Sequence, residues 1–114
     1  SYSVALGTTA LDAITTGDNN TAIGYDAMTA TTTASNNVAV GAYALDANTT
    51  GTQNVAVGKD ALGTLTTAAN NSAVGYFSLK ANTSGSENAA FGGHTMTLNT
   101  SGANNNCLWI WCFI

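Results

Sequence analysis

The spacing of one glycine most restricts what this chain can fold into. The glycine recurs every 17 residues without insertion or deletion, at Gly7, Gly24, Gly41, Gly58, Gly75 and Gly92. We call this set the glycine column. Strict self-similarity at a fixed period is typical of repeat architectures, in which each unit packs against its neighbours. The 114-residue chain therefore contains six copies of one unit.

A small residue stands beside a bulky one twice in each unit. Before the glycine come the first alanine column and a column of large apolar residues: Ala5, Ala22, Ala39, Ala56, Ala73 and Ala90, then Leu6, Ile23, Val40, Val57, Val74 and Phe91. After it come the second alanine column and the leucine column: Ala10, Ala27, Ala44, Ala61, Ser78 and Thr95, then Leu11, Met28, Leu45, Leu62, Leu79 and Met96. We expect a short strand at each pair, with Val in a narrow core and Ala and Gly where backbones approach.

The polar half of the unit is equally regular. The asparagine column is Asn20, Asn37, Asn54, Asn71, Asn88 and Asn105, and two threonine columns begin at Thr15 and Thr16. Seventeen residues are too few for a helix pair, and Thr and Asn are poor helix formers. The sequence therefore predicts an all-β fold, a β-solenoid of six 17-residue coils over residues 1–104, with identical positions stacked about 4.8 Å apart. Asn side chains can then form a ladder along the stack.

The core of such a coil is thin. Apolar residues make up 45% of the chain, but most are Ala and Val. Each coil buries few large side chains, while every residue that is ordered loses conformational entropy. We therefore expect several chains to share a core and to cover one another's apolar faces.

The repeated words "NTAIGYDAM", "NVAVGAYAL", "NVAVGKDAL" and "NSAVGYFSL" resemble the head repeats of YadA-like trimeric autotransporter adhesins and similar repeats of phage and large-virus tail or surface fibres. The resemblance covers residues 3–104. It implies a left-handed parallel β-roll, three chains packed side by side, and display outside a cell or virion for attachment. The 17-residue unit is longer than that of the adhesin heads, which implies a larger outer loop.

The last ten residues, 105–114, break the repeat. Cys107 takes the place of Ala, and Trp109 stands where glycine is expected. A regular strand here would be apolar on both faces, so we expect a capping or assembly interface; a processing scar is the alternative. The interface residues are Cys107, Leu108, Trp109, Ile110, Trp111, Cys112, Phe113 and Ile114. This apolar run is too short to cross a membrane as a helix.

Cys107 and Cys112 lie five residues apart and would point to opposite faces of a regular strand. They would not pair with each other without a bend. Disulfides between chains and buried thiols both remain open.

The sequence is poor in catalytic and metal-binding groups. His94 is its only histidine, and the six acidic residues do not form a pair with a His or Ser partner. We expect no enzyme activity, no cofactor, no metal, and a rim position for His94. Two lysines against six carboxylates, with a net charge of −4, argue against a nucleic-acid partner.

Three surface features suggest binding. Tyr25, Tyr43, Tyr76 and Phe77 follow the glycines and form a candidate ligand rim for a receptor or glycan. The stacked threonine columns suggest an ice-binding face. Asn48, Asn82 and Asn99 each begin an Asn-x-Ser/Thr sequence in one outer turn, and are candidate glycosylation sites.

These observations together predict a structural or attachment subunit of an extracellular, cell-surface or virion-surface fibre. It would self-associate, as a trimer or end to end. An ice-binding or carbohydrate-binding β-solenoid is the alternative.

Overall fold

The computed structural model describes residues 2–109 and residue 112. Seven short parallel strands form one sheet in chain order. They are β1 (Val4–Leu6), β2 (Thr21–Ile23), β3 (Val38–Val40), β4 (Val55–Val57), β5 (Ser72–Val74), β6 (Ala89–Phe91) and β7 (Asn106–Cys107). Each residue pairs with the one 17 places later, as Ala5 does with Ala22. The prediction of an all-β solenoid is confirmed, with about six turns.

The prediction of two strands per coil is wrong, because the segment after the glycine forms consecutive turns among the described residues. Its second and fourth residues have positive φ, for example 60° at Tyr43 and 51° at Leu45. Left-handed residues curl the chain and prevent an extended strand. The coils are still bonded here: the Leu45 N–H donates to the Ala61 carbonyl oxygen at 3.1 Å.

The core contains alanine and leucine, not valine, so the predicted place of Val in the core is wrong. In each three-residue strand the central Ala points inward and its two neighbours point outward, since side chains alternate along a strand. Ala39 and Ala56 are fully buried, as are Leu45 and Leu62 of the leucine column. Val38 and Val40 are only half-buried.

The outward side chains of the strands form one continuous surface, which we call the outer sheet face. Its residues are Val4, Thr21, Val38, Val55, Ser72, Ala89, Leu6, Ile23, Val40, Val57, Val74 and Phe91. The face carries no charged side chain. Leu6 is 66% exposed and Phe91 42% exposed at its two ends.

The asparagine column forms the predicted ladder inside the coil. Asn37 Oδ1 accepts a hydrogen bond from the Asn54 backbone N–H at 2.9 Å, and Asn37 Nδ2 donates to the Gly51 carbonyl oxygen at 2.9 Å. Asn54 makes the equivalent donation to the Ala68 carbonyl oxygen. Each side chain therefore ties its own coil to the next one. In the described part of the chain, no buried side-chain N or O lacks a partner.

A second set of residues, all buried except the half-buried Ile14, fills the corner opposite the sheet, and we call it the corner column: Ile14, Thr31, Asn48, Leu65, Asn82 and Asn99. Asn48 Oδ1 accepts from the Gly51 N–H, and its Nδ2 donates to the Gly51 carbonyl oxygen, both at 3.0 Å. A Cβ on Gly51 would lie 2.5 Å from that Oδ1. Where Leu65 fills the corner, the residue three places later is Ala68. Each corner Asn is followed three places later by Gly, although Ile14 is also followed by Gly17.

The C-terminal residues continue the solenoid into a seventh coil. Ala90 pairs with Cys107, and the Met96 N–H donates to the Cys112 carbonyl oxygen at 3.0 Å. Cys107 and Cys112 form a disulfide with their Cα atoms 5.7 Å apart. The chain turns at Trp109 and places them in the two alanine columns, which face each other, so the bend needed for pairing is present and the alternatives of inter-chain disulfides and buried thiols are wrong.

Part of the predicted tail interface can be placed. Cys107 is buried, whereas Leu108 is 68% and Trp109 75% exposed. Ile110, Trp111, Phe113 and Ile114 lie outside the described residues. Within residues 2–109 and 112, no helix is long and apolar enough to span a membrane.

Candidate functional site

Aromatic and charged side chains gather on the turns that follow the glycine column. We call this surface the aromatic edge; it comprises Tyr25, Tyr43, Lys59, Asp60, Tyr76, Phe77, Lys80 and His94. These residues occupy the first, second and fifth places after a glycine. The 17-residue register stacks those places, so side chains far apart in sequence become neighbours. Both lysines of the chain lie here.

One group of the aromatic edge centres on two stacked rings. The Tyr76 and Phe77 ring centroids are 4.1 Å apart with an interplanar angle of 10°. His94 meets them edge-on, at 5.3 Å from Tyr76 and 5.5 Å from Phe77. Lys80 Nζ lies 4.2 Å and Lys59 Nζ 5.6 Å from the Phe77 centroid. His94 is exposed, as predicted for a rim residue.

The other group is the pair Tyr25 and Tyr43, whose ring centroids lie 5.5 Å apart in a T-shaped contact. The coil with Lys59 and Asp60 separates it from the stacked rings. Asp60 lies 3.4 Å from Lys59 Nζ and 3.7 Å from Lys80 Nζ. The four predicted rim residues therefore share one edge but form two groups, with an ion-paired carboxylate between them.

Two groups near the aromatic edge have shifted pKa values. The negative charge of Asp26 raises the pKa of the Tyr25 phenol, with a smaller contribution from Tyr43. Burial raises the pKa of Asp46, and the nearby Asp60 carboxylate adds to the effect. Asp46, Gly63 and Lys80 occupy the same position in three successive coils, so Asp46 lies beside the aromatic edge.

The aromatic edge is a flat surface rather than a cleft. Tyr25 is 50% and Tyr76 47% exposed, so ring faces are open to solvent beside ammonium groups. Exposed aromatic rings next to hydrogen-bonding groups suit the binding of flat or polyhydroxylated ligands. The described residues contain no detected pocket and no group of three side chains suited to a metal ion.

Sequence reasoning found the aromatic members of this site but missed the contributions of Lys59, Lys80 and Asp60. Stacking the first two places after each glycine would have found Lys59 and Asp60, and adding the fifth place would have found Lys80. Those three places are stacked on one edge because the turns return the chain to the same side of the solenoid.

The three candidate glycosylation sites are not on an outer turn, and that expectation is wrong. Asn48 and Asn82 are fully buried and Asn99 is 6% exposed. Their Nδ2 atoms, which would carry the sugar, donate to the carbonyl oxygens of Gly51, Gly85 and Gly102. The folded chain has no room for a glycan at these atoms.

The threonine columns lie on a corner of the solenoid. The hydroxyls of the first column donate along the stack, as Thr49 Oγ1 does to the Thr66 carbonyl oxygen at 3.2 Å. The second column, which includes Thr33 and Thr50, is exposed. Only one of the two columns therefore presents unpaired hydroxyl groups as a regular row.

No protein-family model matches the chain, and no curated protein or solved structure shows significant similarity to it.

Proposed function

We propose that this chain is a structural and attachment subunit of a fibre displayed outside a cell or on a virion. The observation that supports this most is the outer sheet face. One of its two rows consists of Leu, Ile, Val and Phe side chains, the other also contains Thr, Ser and Ala, and its central residues are half-buried. Contiguous apolar surfaces that are exposed to water are typical of association sites.

In the proposed assembly, three chains pack side by side as left-handed parallel β-rolls with their outer sheet faces in contact. Six rungs at about 4.8 Å give each face a length of about 24 Å. The absence of charge on the face removes the desolvation cost that a charged surface would carry. The leucine column is buried within the chain itself, so the outer sheet face is the apolar surface available to a neighbouring chain.

The disulfide supports the proposed location. Disulfides persist in oxidising surroundings such as the extracellular space and virion surfaces, and they are rare in the cytosol. The Cys107–Cys112 bond therefore favours a chain that works outside the cell.

Light scattering on the purified, oxidised chain tests the assembly. We expect a mass of three chains, and we expect Val57→Lys to dissociate it by placing a charge at the centre of the outer sheet face. The matched control is Thr50→Lys, which adds the same charge on the exposed threonine column and should leave the mass unchanged. A wild-type chain that stays monomeric would overturn the proposal.

The aromatic edge favours a second candidate function, the binding of glycans. Tyr76, Phe77 and Lys80 offer a stacked ring pair with a cation beside it. A glycan array compares the wild type with Tyr76→Ala. Loss of binding in the variant would support this function, and an array without any bound glycan would exclude it for the sugars tested. A thermal hysteresis assay tests the ice-binding alternative at the threonine columns.

A further inference from the structure

The glycine column is a close-contact seam along the solenoid. Its six members have φ values from 123° to 134°. A Cβ built on any of the first five would lie 2.5 to 2.7 Å from a backbone atom of the next glycine. That distance is shorter than real carbon contacts, so a coil can be followed by another coil only if glycine occupies this place.

Trp109 occupies the glycine place of the seventh coil. The preceding coils close a turn in which the residue three places after glycine donates its N–H to the glycine carbonyl, as Ala44 does to Gly41 at 3.2 Å. Cys112 makes the same bond to Trp109 at 3.2 Å. Thr95 Oγ1 also donates to the Trp109 carbonyl oxygen at 2.9 Å. The Trp109 carbonyl therefore keeps the turn bond of the repeat, but strand pairing with the sixth coil ends at Cys107.

We infer that Trp109 ends the solenoid by blocking the addition of any further coil. Trp109 does not have the positive φ of the six glycines, so its backbone leaves their path and the edge that it forms does not match a following coil. The Trp109 side chain is 75% exposed, so it is not packed away into the coil that carries it.

The disulfide completes this end. In the middle coils the two facing alanine columns are covered by a coil on each side, and the seventh coil stacks on the sixth. Cys107 and Cys112 join the two columns covalently at that point. The block at Trp109 closes this end to a second copy of this chain, and association is directed to the sides.

The other end of the solenoid supplies the probe for a test. Val4 donates to Asn20 and Leu6 accepts from Gly24, so β1 uses these groups to bind β2. Alternation along a parallel strand then turns the Ala5 N–H away from β2. The β1 edge of one copy can pair with the seventh coil of another once the block at Trp109 is removed.

The experiment compares Trp109→Gly with the wild type by sedimentation velocity over a concentration series. We expect Trp109→Gly to form particles at integer multiples of the wild-type mass, and adding Ala5→Pro to reverse this. Trp109→Ala keeps a Cβ and should behave as wild type, as should the control Leu108→Ser, which removes a neighbouring apolar side chain. A folded Trp109→Gly chain that keeps the wild-type mass, or association that Ala5→Pro leaves intact, would overturn the inference.

A second pair of variants removes the dependence on association. In both variants, residues 110–114 are replaced by a copy of residues 76–92, which supplies one further coil, and Cys107→Ala removes the disulfide. One variant keeps Trp109 before the added coil, and the other carries Trp109→Gly. Hydrogen exchange should protect the added strand only behind glycine. Equal protection behind tryptophan would contradict the block. The sedimentation and hydrogen-exchange results are each compared with the wild type, so their interpretation is the same whether the wild type is a monomer or a trimer.

Discussion

At the scale of the residue, each repeated position in the sequence has a defined backbone conformation or packing environment in the structure. The residue twelve places after each glycine has a φ of 58° to 62° at Asn19, Asn36, Gln53, Asn70, Glu87 and Asn104. Asn adopts this left-handed conformation more readily than most residues because its short side chain bonds locally. Gln53 and Glu87 are the two exceptions, and each carries a conformational cost that the other coils avoid.

We expect Gln53→Asn to raise the free energy of unfolding by about 0.5 to 1 kcal/mol, because it relieves that cost. Gln53 is exposed, so no packing is lost. Thermal melts measure the effect. Thr52→Asn places the same side chain one residue earlier and serves as the control, in which no stabilisation is expected; equal melting points for Gln53→Asn and wild type would refute the argument.

Asp46 makes stability depend on pH. Its pKa is raised by burial above the ordinary value of 3.8, so the folded chain holds this proton more tightly than the unfolded one. Stability from this group is therefore fully present below pH 3.8 and is lost as pH rises through the raised value. Asp46→Asn should remove this part of the slope and raise the melting temperature slightly at neutral pH. Melts from pH 3 to 7 measure it, with Asp12→Asn in the same column as control; an unchanged slope would count against the assignment.

At the scale of the element, the sequence predicted the strand before each glycine but not the turns after it. The pattern of a small residue beside a bulky one is the same in both places, so periodicity alone could not separate them. The difference lies in backbone conformation: Leu45 and Leu62 adopt positive φ, which apolar residues seldom do outside a stacked context. The pattern also could not show that Ala points inward and Val outward, because that direction depends on where the three-residue strand begins. For the aromatic edge, the rings were predictable from their places after the glycine, whereas the lysine contacts depended on how the turns fold back.

The pairing of corner residues with the residue three places later can be measured at Asn99 and Gly102. A Cβ on Gly102 would lie 2.4 Å from Asn99 Oδ1, and its three nearest atoms include no backbone carbonyl of a following coil. We expect Gly102→Ala to destabilise the wild type but to be tolerated with Asn99→Leu, which recreates the Leu65 and Ala68 pair. A double-mutant cycle by denaturant unfolding should give a coupling of about 1 to 2 kcal/mol. Ser101→Ala in both backgrounds is the control, and additive effects of Asn99→Leu and Gly102→Ala would disprove the pairing.

At the scale of the whole molecule, the fold is a one-dimensional stack in which, within residues 2–109 and 112, each strand contacts its neighbours only. Strand contacts run from β1 to β7 in order, without a contact between more distant strands. The asparagine column runs from Asn20 to Asn105, with Ser3 in its place in the first coil, and the leucine column runs from Leu11 to Met96 among the described residues. Stability is therefore expected to add up coil by coil.

Removing residues 38–71 takes out two whole coils and joins Asn37 to Ser72, which restores the register at every column. We expect the shortened chain to keep its circular dichroism spectrum and to unfold cooperatively with a smaller denaturant m-value, in proportion to the surface lost. Removing residues 38–69 instead leaves the columns out of step by two places and should abolish cooperative unfolding. Equal tolerance of both deletions would show that register does not hold the fold together.

The direction of the hydrogen bonds between coils also determines how the molecule responds to tension. Those bonds run along the stack, so a pull between its ends loads one rung at a time instead of shearing several together. Each released coil of 17 residues straightens to about 56 to 61 Å, whereas it occupies about 4.8 Å in the stack. A fibre built from this chain would yield in small, equal, reversible steps, and would lengthen roughly twelvefold per coil before its covalent backbone carried the load.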